Sequence, residues 1–135
     1  MTIVIDASVA LKWVFDEPGT EAALALREEQ LTAPSLWLAE AANALWHHVR
    51  LGEISSEEAL ARLTVLASAP VASLAFEALV ERALELATEL PHPVYDCLYL
   101  ALALHYDTYV VTDDRRFSAA AGAAGLTNRV RLLSP

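Results

Sequence analysis

The sequence predicts an α/β fold in which a mostly parallel sheet of about five strands lies between helices. Short β-branched runs such as Thr2–Ile5 and Thr108–Thr112 alternate with longer stretches of helical periodicity, the pattern of strands joined by crossover helices. The strands read as continuous apolar runs, as strands buried on both faces do. A length of 135 residues, 56% hydrophobic and 20% charged, suffices for one domain (1–135) that buries about two-thirds of its unfolded surface.

Each element follows from local chemistry. Thr2–Ile5 is the first buried strand, and Asp6-Ala7-Ser8 leads into a helical Val9–Val14. Asp16-Glu17-Pro18-Gly19 is a turn. Thr20–Glu29 is helical with Thr20 as candidate N-cap. Leu31–Ala33 is a second strand, and Pro34 suits the first turn of a long helix, Ser35–Leu51, stopped by Gly52. Ser55 or Ser56 starts the next helix, with Glu58 three residues after Ser55 as a capping box, and it runs to about Ala67. Val71–Leu74 is a strand, and Phe76–Glu89 a helix with Glu77, Glu81 and Glu85 on one polar stripe. Pro91-His92-Pro93 breaks the chain before an apolar helix, Val94–Tyr106. Thr108–Thr112 is strongly β, Asp113 to about Ala121 a short helix, and Arg129–Leu132 the last strand.

Composition excludes several classes. Only 4 Gly and 6 Pro rule out collagen-like or linker-rich chains, and 1 Cys rules out a disulfide framework or a cysteine zinc ribbon. The single thiol fits a reducing cytoplasm, which is the expected location. The apolar N-terminus lacks a basic start and is broken by Asp6, Lys12 and Asp16, so no signal peptide is expected. The longest clean apolar run, Cys97–Leu104, is far short of a membrane span. The formal net charge of −9 opposes bulk binding of nucleic acid, but it is unevenly spread: no acid follows Asp114, whereas Arg115, Arg116, Arg129 and Arg131 do. An acidic body therefore carries a basic C-terminal end that can hold a polyanion locally.

Parallel α/β sheets bind ligands at the carboxyl ends of their strands. Asp6 follows the first strand and Asp113-Asp114 the fourth. Glu40 and Asn43 are the only strongly polar side chains from Leu36 through Trp46, and Asp96 is the only charge from Val94 through Leu104. An uncompensated buried carboxylate costs several kcal/mol. Two of them roughly 5 Å apart repel by about 3 kcal/mol at an effective dielectric near 20. Such a cluster needs protons or cations, and ligation by oxygen alone points to Mg²⁺ or Mn²⁺ instead of zinc.

Each acid also has a structural explanation. Asp6 and Ser8 suit the cap of the first helix, and Asp113 or Asp114 that of the short late helix. Glu40, Asn43, His47 and Arg50 carry the spacing of a solvated helix face. Asp96 lies in a first turn, where the helix dipole favours an acid. The sheet topology brings three of these sites to one edge, and the joint reading of a converging acid cluster is stronger than any member alone. Cys97 reads as an inert buried thiol, and Trp13, Trp37 and Trp46 as core. No Gly-rich phosphate loop is present.

Four motifs carry a family resemblance: I-V-I-D-A-S-V (Ile3–Val9), L-x-E-x-x-N-x-L (Leu38, Glu40, Asn43, Leu45), Y-D-C-L-Y-L-A-L-A (Tyr95–Ala103) and V-V-T-D-D-R-R-F (Val110–Phe117). In order and spacing the chain resembles the PIN-domain ribonucleases, specifically VapC-type toxins of toxin–antitoxin pairs. The resemblance implies a PIN-domain fold and a metal-dependent endoribonuclease whose catalytic and metal-holding acids are Asp6, Glu40, Asp96 and Asp114. Ser8, Asn43 and Thr112 match supporting polar positions that orient carboxylates or metal-bound waters. Asp114 fits the T-x-D-x-x-F spacing of Thr112, Asp114 and Phe117, which leaves the role of Asp113 open.

The resemblance implies Mg²⁺ (or Mn²⁺) as cofactor, RNA as substrate, a cognate antitoxin as partner, and a homodimer. Arg115, Arg116 and Lys12 are the candidate contacts to RNA phosphates, with a plain solvated helix as the alternative for the two arginines. Two readings compete with the toxin: a non-catalytic PIN-like binding module, and a nuclease of RNA processing with no antitoxin. A haloacid-dehalogenase-type phosphatase is disfavoured because Ser8 stands where a second acid is needed. A receiver-like domain is disfavoured because the only lysine is Lys12.

Overall fold

The computed structural model describes residues 2–134. Its elements run β1 (Thr2–Ile5), α1 (Ala7–Ala10), α2 (Thr20–Ala25), β2 (Gln30–Pro34), α3 (Trp37–Arg50), α4 (Ser56–Ala67), β3 (Val71–Leu74), α5 (Val80–Glu89), α6 (Val94–His105), β4 (Val110–Thr112), α7 (Arg115–Ala123) and β5 (Val130–Leu132). The five strands form one parallel sheet in the order β3-β2-β1-β4-β5. Strand order reverses between β1 and β4, the position where parallel sheets open a crevice at their carboxyl edge.

The expected α/β class and five-strand parallel sheet are present. The first two helices are shorter than their periodicity suggests, because each tightens into a 3₁₀ turn, Leu11–Trp13 and Leu26–Glu28. Thr20 is not an N-cap. It is the first helical residue after Gly19, and its hydroxyl accepts from the Glu17 amide and donates to the Phe15 carbonyl. Pro34 ends β2 instead of opening α3. The Ser35 amide turns to β3, donating to the Leu74 carbonyl at 2.7 Å. The side of Pro34 that lacks an N–H therefore faces β1, whose ladder has already ended at Thr32.

Helix α3 ends as expected at Gly52, whose φ of +75° suits a residue without a Cβ. The Gly52 amide reaches the Val49 carbonyl and the Glu53 amide that of His48, closing the last turn. Ser55 caps α4, its hydroxyl accepting from the Glu58 amide at 3.0 Å and donating to Glu58 Oε1 at 3.3 Å.

Helix α6 packs on β1, β2 and β4. Its residues Cys97 through Ala103 are all buried, which explains an apolar composition on every face. This helix makes the crossover from the β3 side of the sheet to β4, so its first turn overhangs the crevice. Among the described residues no helix is long and apolar enough to cross a membrane.

Candidate active site

The register of β1 with β4 places the site. Ile5 pairs with Val111, so Asp6 stands beside Thr112 at the carboxyl edge. Asp6 is 5% exposed and caps α1, with Oδ1 accepting from the Val9 amide at 3.3 Å. Two hydroxyls also donate to it: Ser8 Oγ to Oδ1 at 2.5 Å, and Thr112 Oγ1 to Oδ2. Each hydroxyl accepts in turn from the turn after β4, Ser8 from the Asp113 amide at 2.9 Å and Thr112 from the Asp114 amide at 3.0 Å. Burial pushes the Asp6 carboxyl up to about 7; the hydroxyl donors pull it down and the Asp96 charge raises it further. Three donors are thus insufficient to offset burial beside a like charge.

Glu40 reaches the crevice from the first turn of α3. Its Oε1 accepts from the Tyr99 hydroxyl at 2.5 Å. Burial raises the Glu40 carboxyl, the Tyr99 bond opposes this, and Asp96 adds to the rise. Tyr99 lies on α6 and is 1% exposed; burial, then the Glu40 charge, keeps its phenol protonated and therefore a donor.

Asp96 sits in the first turn of α6, where its Oδ2 lies 2.7 Å from His92 Nε2. Asp114 caps α7, with Oδ1 accepting from the Arg116 and Phe117 amides at 2.9 and 3.4 Å. His92, Asp96 and Asp114 each offer one donor atom, and the three atoms lie within 4.8 Å of one another. The His92 ring is stacked on Phe117, centroids 5.2 Å apart and planes at 14°. The structural roles weighed for Asp6 and Asp114 are therefore real, and both caps also face the crevice. Ser8 does not cap α1; it ties Asp6 to the β4–α7 turn.

The remaining candidates separate. Asn43 is exposed and lines an open cleft with Leu36, Ala39, Glu40 and Tyr95. Arg115 and Arg116 are exposed at the start of α7. Lys12 does not fit a role in phosphate binding. It is 4% exposed, and its ammonium meets Glu17 at 3.0 Å, Asp113 at 3.1 Å and the Pro18 carbonyl at 2.7 Å. Burial opposes that charge, but Glu17 and Asp113 hold it above the ordinary lysine range. Asp113, left open by the sequence, is thus the anchor of Lys12. Sequence reasoning missed His92 and Tyr99. The only signals were the i, i+4 spacing of His92 and Asp96 and a phenol, Tyr99, set among apolar residues of the same helix.

Residues 3–123 match the PIN domain family. The chain belongs to this family. No curated protein matches. Among solved structures, the crystal structure of PAE2754 from Pyrobaculum aerophilum superposes with a TM-score of 0.75 at 25% identity, covering 98% of this chain and 84% of that one. The crystal structure of VapBC2 from Rickettsia felis, bound to a DNA fragment from their promoter, superposes with a TM-score of 0.66 at 17% identity, covering 98% and 97%. Both share the PIN-domain architecture.

The donor set tests whether a divalent cation suits this PIN domain. Asp6 and Glu40 are both raised by the Asp96 charge. The lysine nearest in sequence to Asp6 is committed to Glu17 and Asp113. Carboxylates that converge beside His92, with no lysine or arginine paired to them among the described residues, fit a divalent cation.

Proposed function

We propose that this PIN domain is a metal-dependent endoribonuclease of the VapC toxin type. One observation carries the reading. The Asp96 charge adds to the burial that raises both Asp6 and Glu40, which come from two other elements, and His92 and Asp114 offer ligand atoms that lie within 4.8 Å of each other and of one from Asp96. Asp6, Asp96, Asp114 and Glu40 would hold Mg²⁺ or Mn²⁺, which supplies Lewis acidity and a water of lowered pKa for attack on a phosphodiester. The chain's own residues do the positioning. Ser8 and Thr112 fix the Asp6 carboxylate, Tyr99 fixes Glu40, and Asn43 faces the open cleft beside Glu40. Arg115 and Arg116 hold RNA phosphates on the β4 side, offsetting the repulsion of a protein with net charge −9.

An antitoxin partner and a homodimer complete the proposal. The Rickettsia felis neighbour is a VapBC pair. An apolar cleft of about 330 Å³ between α3 and α4 leaves Trp46 and Leu60 more than half exposed, a surface suited to a partner helix. The cytoplasm is the compartment where both partner and RNA are met. The alternatives, a non-catalytic PIN-like module and a processing nuclease without an antitoxin, make different predictions.

The test is cleavage of total RNA by the purified protein, with Mg²⁺ or Mn²⁺, with chelator, and with Asp96→Asn in parallel. Cleavage that requires both metal and Asp96 supports the nuclease. Equal cleavage by wild type and variant sinks it and favours the non-catalytic module.

A further inference from the structure

We propose that His92 is a nitrogen ligand of the metal in this site, and that it biases the site toward Mn²⁺ over Mg²⁺. The inference rests on the metal-dependent reading above and specifies the ion. The four acids matched to the family offer only oxygen donors, and a purely oxygen-lined site would favour neither ion through ligand softness. His92 lies outside those motifs, in the break between α5 and α6.

Three observations place it in the site. Its Nε2 is 2.7 Å from Asp96 Oδ2, and one ring nitrogen of His92 and one carboxylate oxygen each of Asp96 and Asp114 all lie within 4.8 Å of one another. Orienting Asp96 alone requires no convergence with Asp114, which belongs to a different element. The ring is held in place: it stacks on Phe117, the His92 amide donates to the Ala87 carbonyl at 3.1 Å, and its side chain is 11% exposed. A fixed imidazole loses little rotamer freedom on ligation. Finally, the nitrogen that donates to Asp96 in one tautomer presents a lone pair in the other, with the proton on Nδ1.

Imidazole suits transition-metal ions, whereas Mg²⁺ prefers carboxylate and water oxygens. A site with three or four carboxylates and one imidazole therefore discriminates in favour of Mn²⁺, which accepts both donor types. Removing the nitrogen should weaken Mn²⁺ more than Mg²⁺.

Pulsed electron paramagnetic resonance of the Mn²⁺-loaded protein reads the coordination directly. It is paired with calorimetric titration of Mn²⁺ and Mg²⁺ into wild type and His92→Gln. Glutamine can still donate a hydrogen bond to Asp96 but offers no nitrogen lone pair. The expected result is a nitrogen coupling in the wild type that is absent in His92→Gln. The ratio of Mn²⁺ to Mg²⁺ affinity should fall about tenfold or more in the variant. Mn²⁺ bound with no nitrogen coupling, or a variant with an unchanged ratio, overturns the proposal and leaves His92 as a positioning residue for Asp96. Wild type that fails to bind Mn²⁺ overturns it together with the metal-dependent reading. RNA cleavage by a wild type without the coupling removes this inference alone.

Discussion

Thr112 donates its hydroxyl to the carboxylate of Asp6 across 106 residues of chain. The same oxygen accepts the Asp114 amide at 3.0 Å, so one side chain joins the end of β1 to the turn that carries a second acid. Asp6 is therefore held by β4 as firmly as by its own helix.

Thr112→Val keeps the side-chain shape and removes both bonds. Thr112 is fully buried, so the Asp114 amide loses a partner and Asp6 loses a donor. The variant should be less stable by about 1–3 kcal/mol in chemical denaturation. Its Mn²⁺ affinity should fall as well, because Asp6 is free to turn. Unchanged stability and affinity would show that the bridge is dispensable.

The metal-free protein should lose stability as pH rises. Asp6 titrates near 3.8 when unfolded and at about 7 when folded, so the folded state binds the extra proton. That contribution is fully present below the unfolded value and is lost as pH rises through the folded one. Glu40 is shifted in the same direction. In chelator, Tm should drop between about pH 4 and about pH 7, and saturating Mn²⁺ should restore more of it at the higher pH. An equal metal-induced shift at both values would contradict the raised Asp6.

Tyr99→Phe removes the donor to Glu40 and little else, since Phe fills the same core space. The expected cost is about 1 kcal/mol in stability. Metal-dependent RNA cleavage should fall about tenfold or more as Glu40 loses its fixed orientation. Activity equal to wild type would take Glu40 out of the functional cluster.

Lys12 and the α7 arginines should behave oppositely. Lys12→Met leaves two half-exposed carboxylates and the Pro18 carbonyl without their ammonium. It should lower Tm without changing how RNA binding depends on salt. Arg116→Ala should leave Tm nearly unchanged and reduce the salt slope of RNA binding by about 0.7 for one phosphate contact on a single strand. Filter-binding measurements across a salt series separate the two, and a reduced slope in Lys12→Met would return Lys12 to the substrate contacts.

Much of this PIN domain was legible along the chain because its determinants are local. The β-branched run at Thr2–Ile5, the Ser55–Glu58 cap and Gly52 each depend on residues a few positions apart. Glu40 and Asp96 stood out because each is a charge in an apolar stretch, and Asp6 and Asp114 because each follows a strand, signals that need no structure. Pro34 was misplaced because a proline tolerates both a helix start and a strand end, and only the β1 ladder ending at Thr32 decides between them. Lys12 was misassigned because a lone cation in an acidic chain suggests a polyanion, whereas its carboxylate partners, Glu17 and Asp113, become visible only on folding.

By itself the sequence determined the α/β class, the strand and helix succession and the identity of the acids, since periodicity, capping and burial preference act within a few residues. The tertiary structure alone decided how those acids are held. Strand order put β1 beside β4 and laid α6 over both, so that Ser8, Thr112, Tyr99 and His92 became partners of Asp6, Glu40 and Asp96. Hydrogen bonds and charge interactions act over a few ångströms in space, and for Thr112 and Asp6 that distance spans 106 residues of chain.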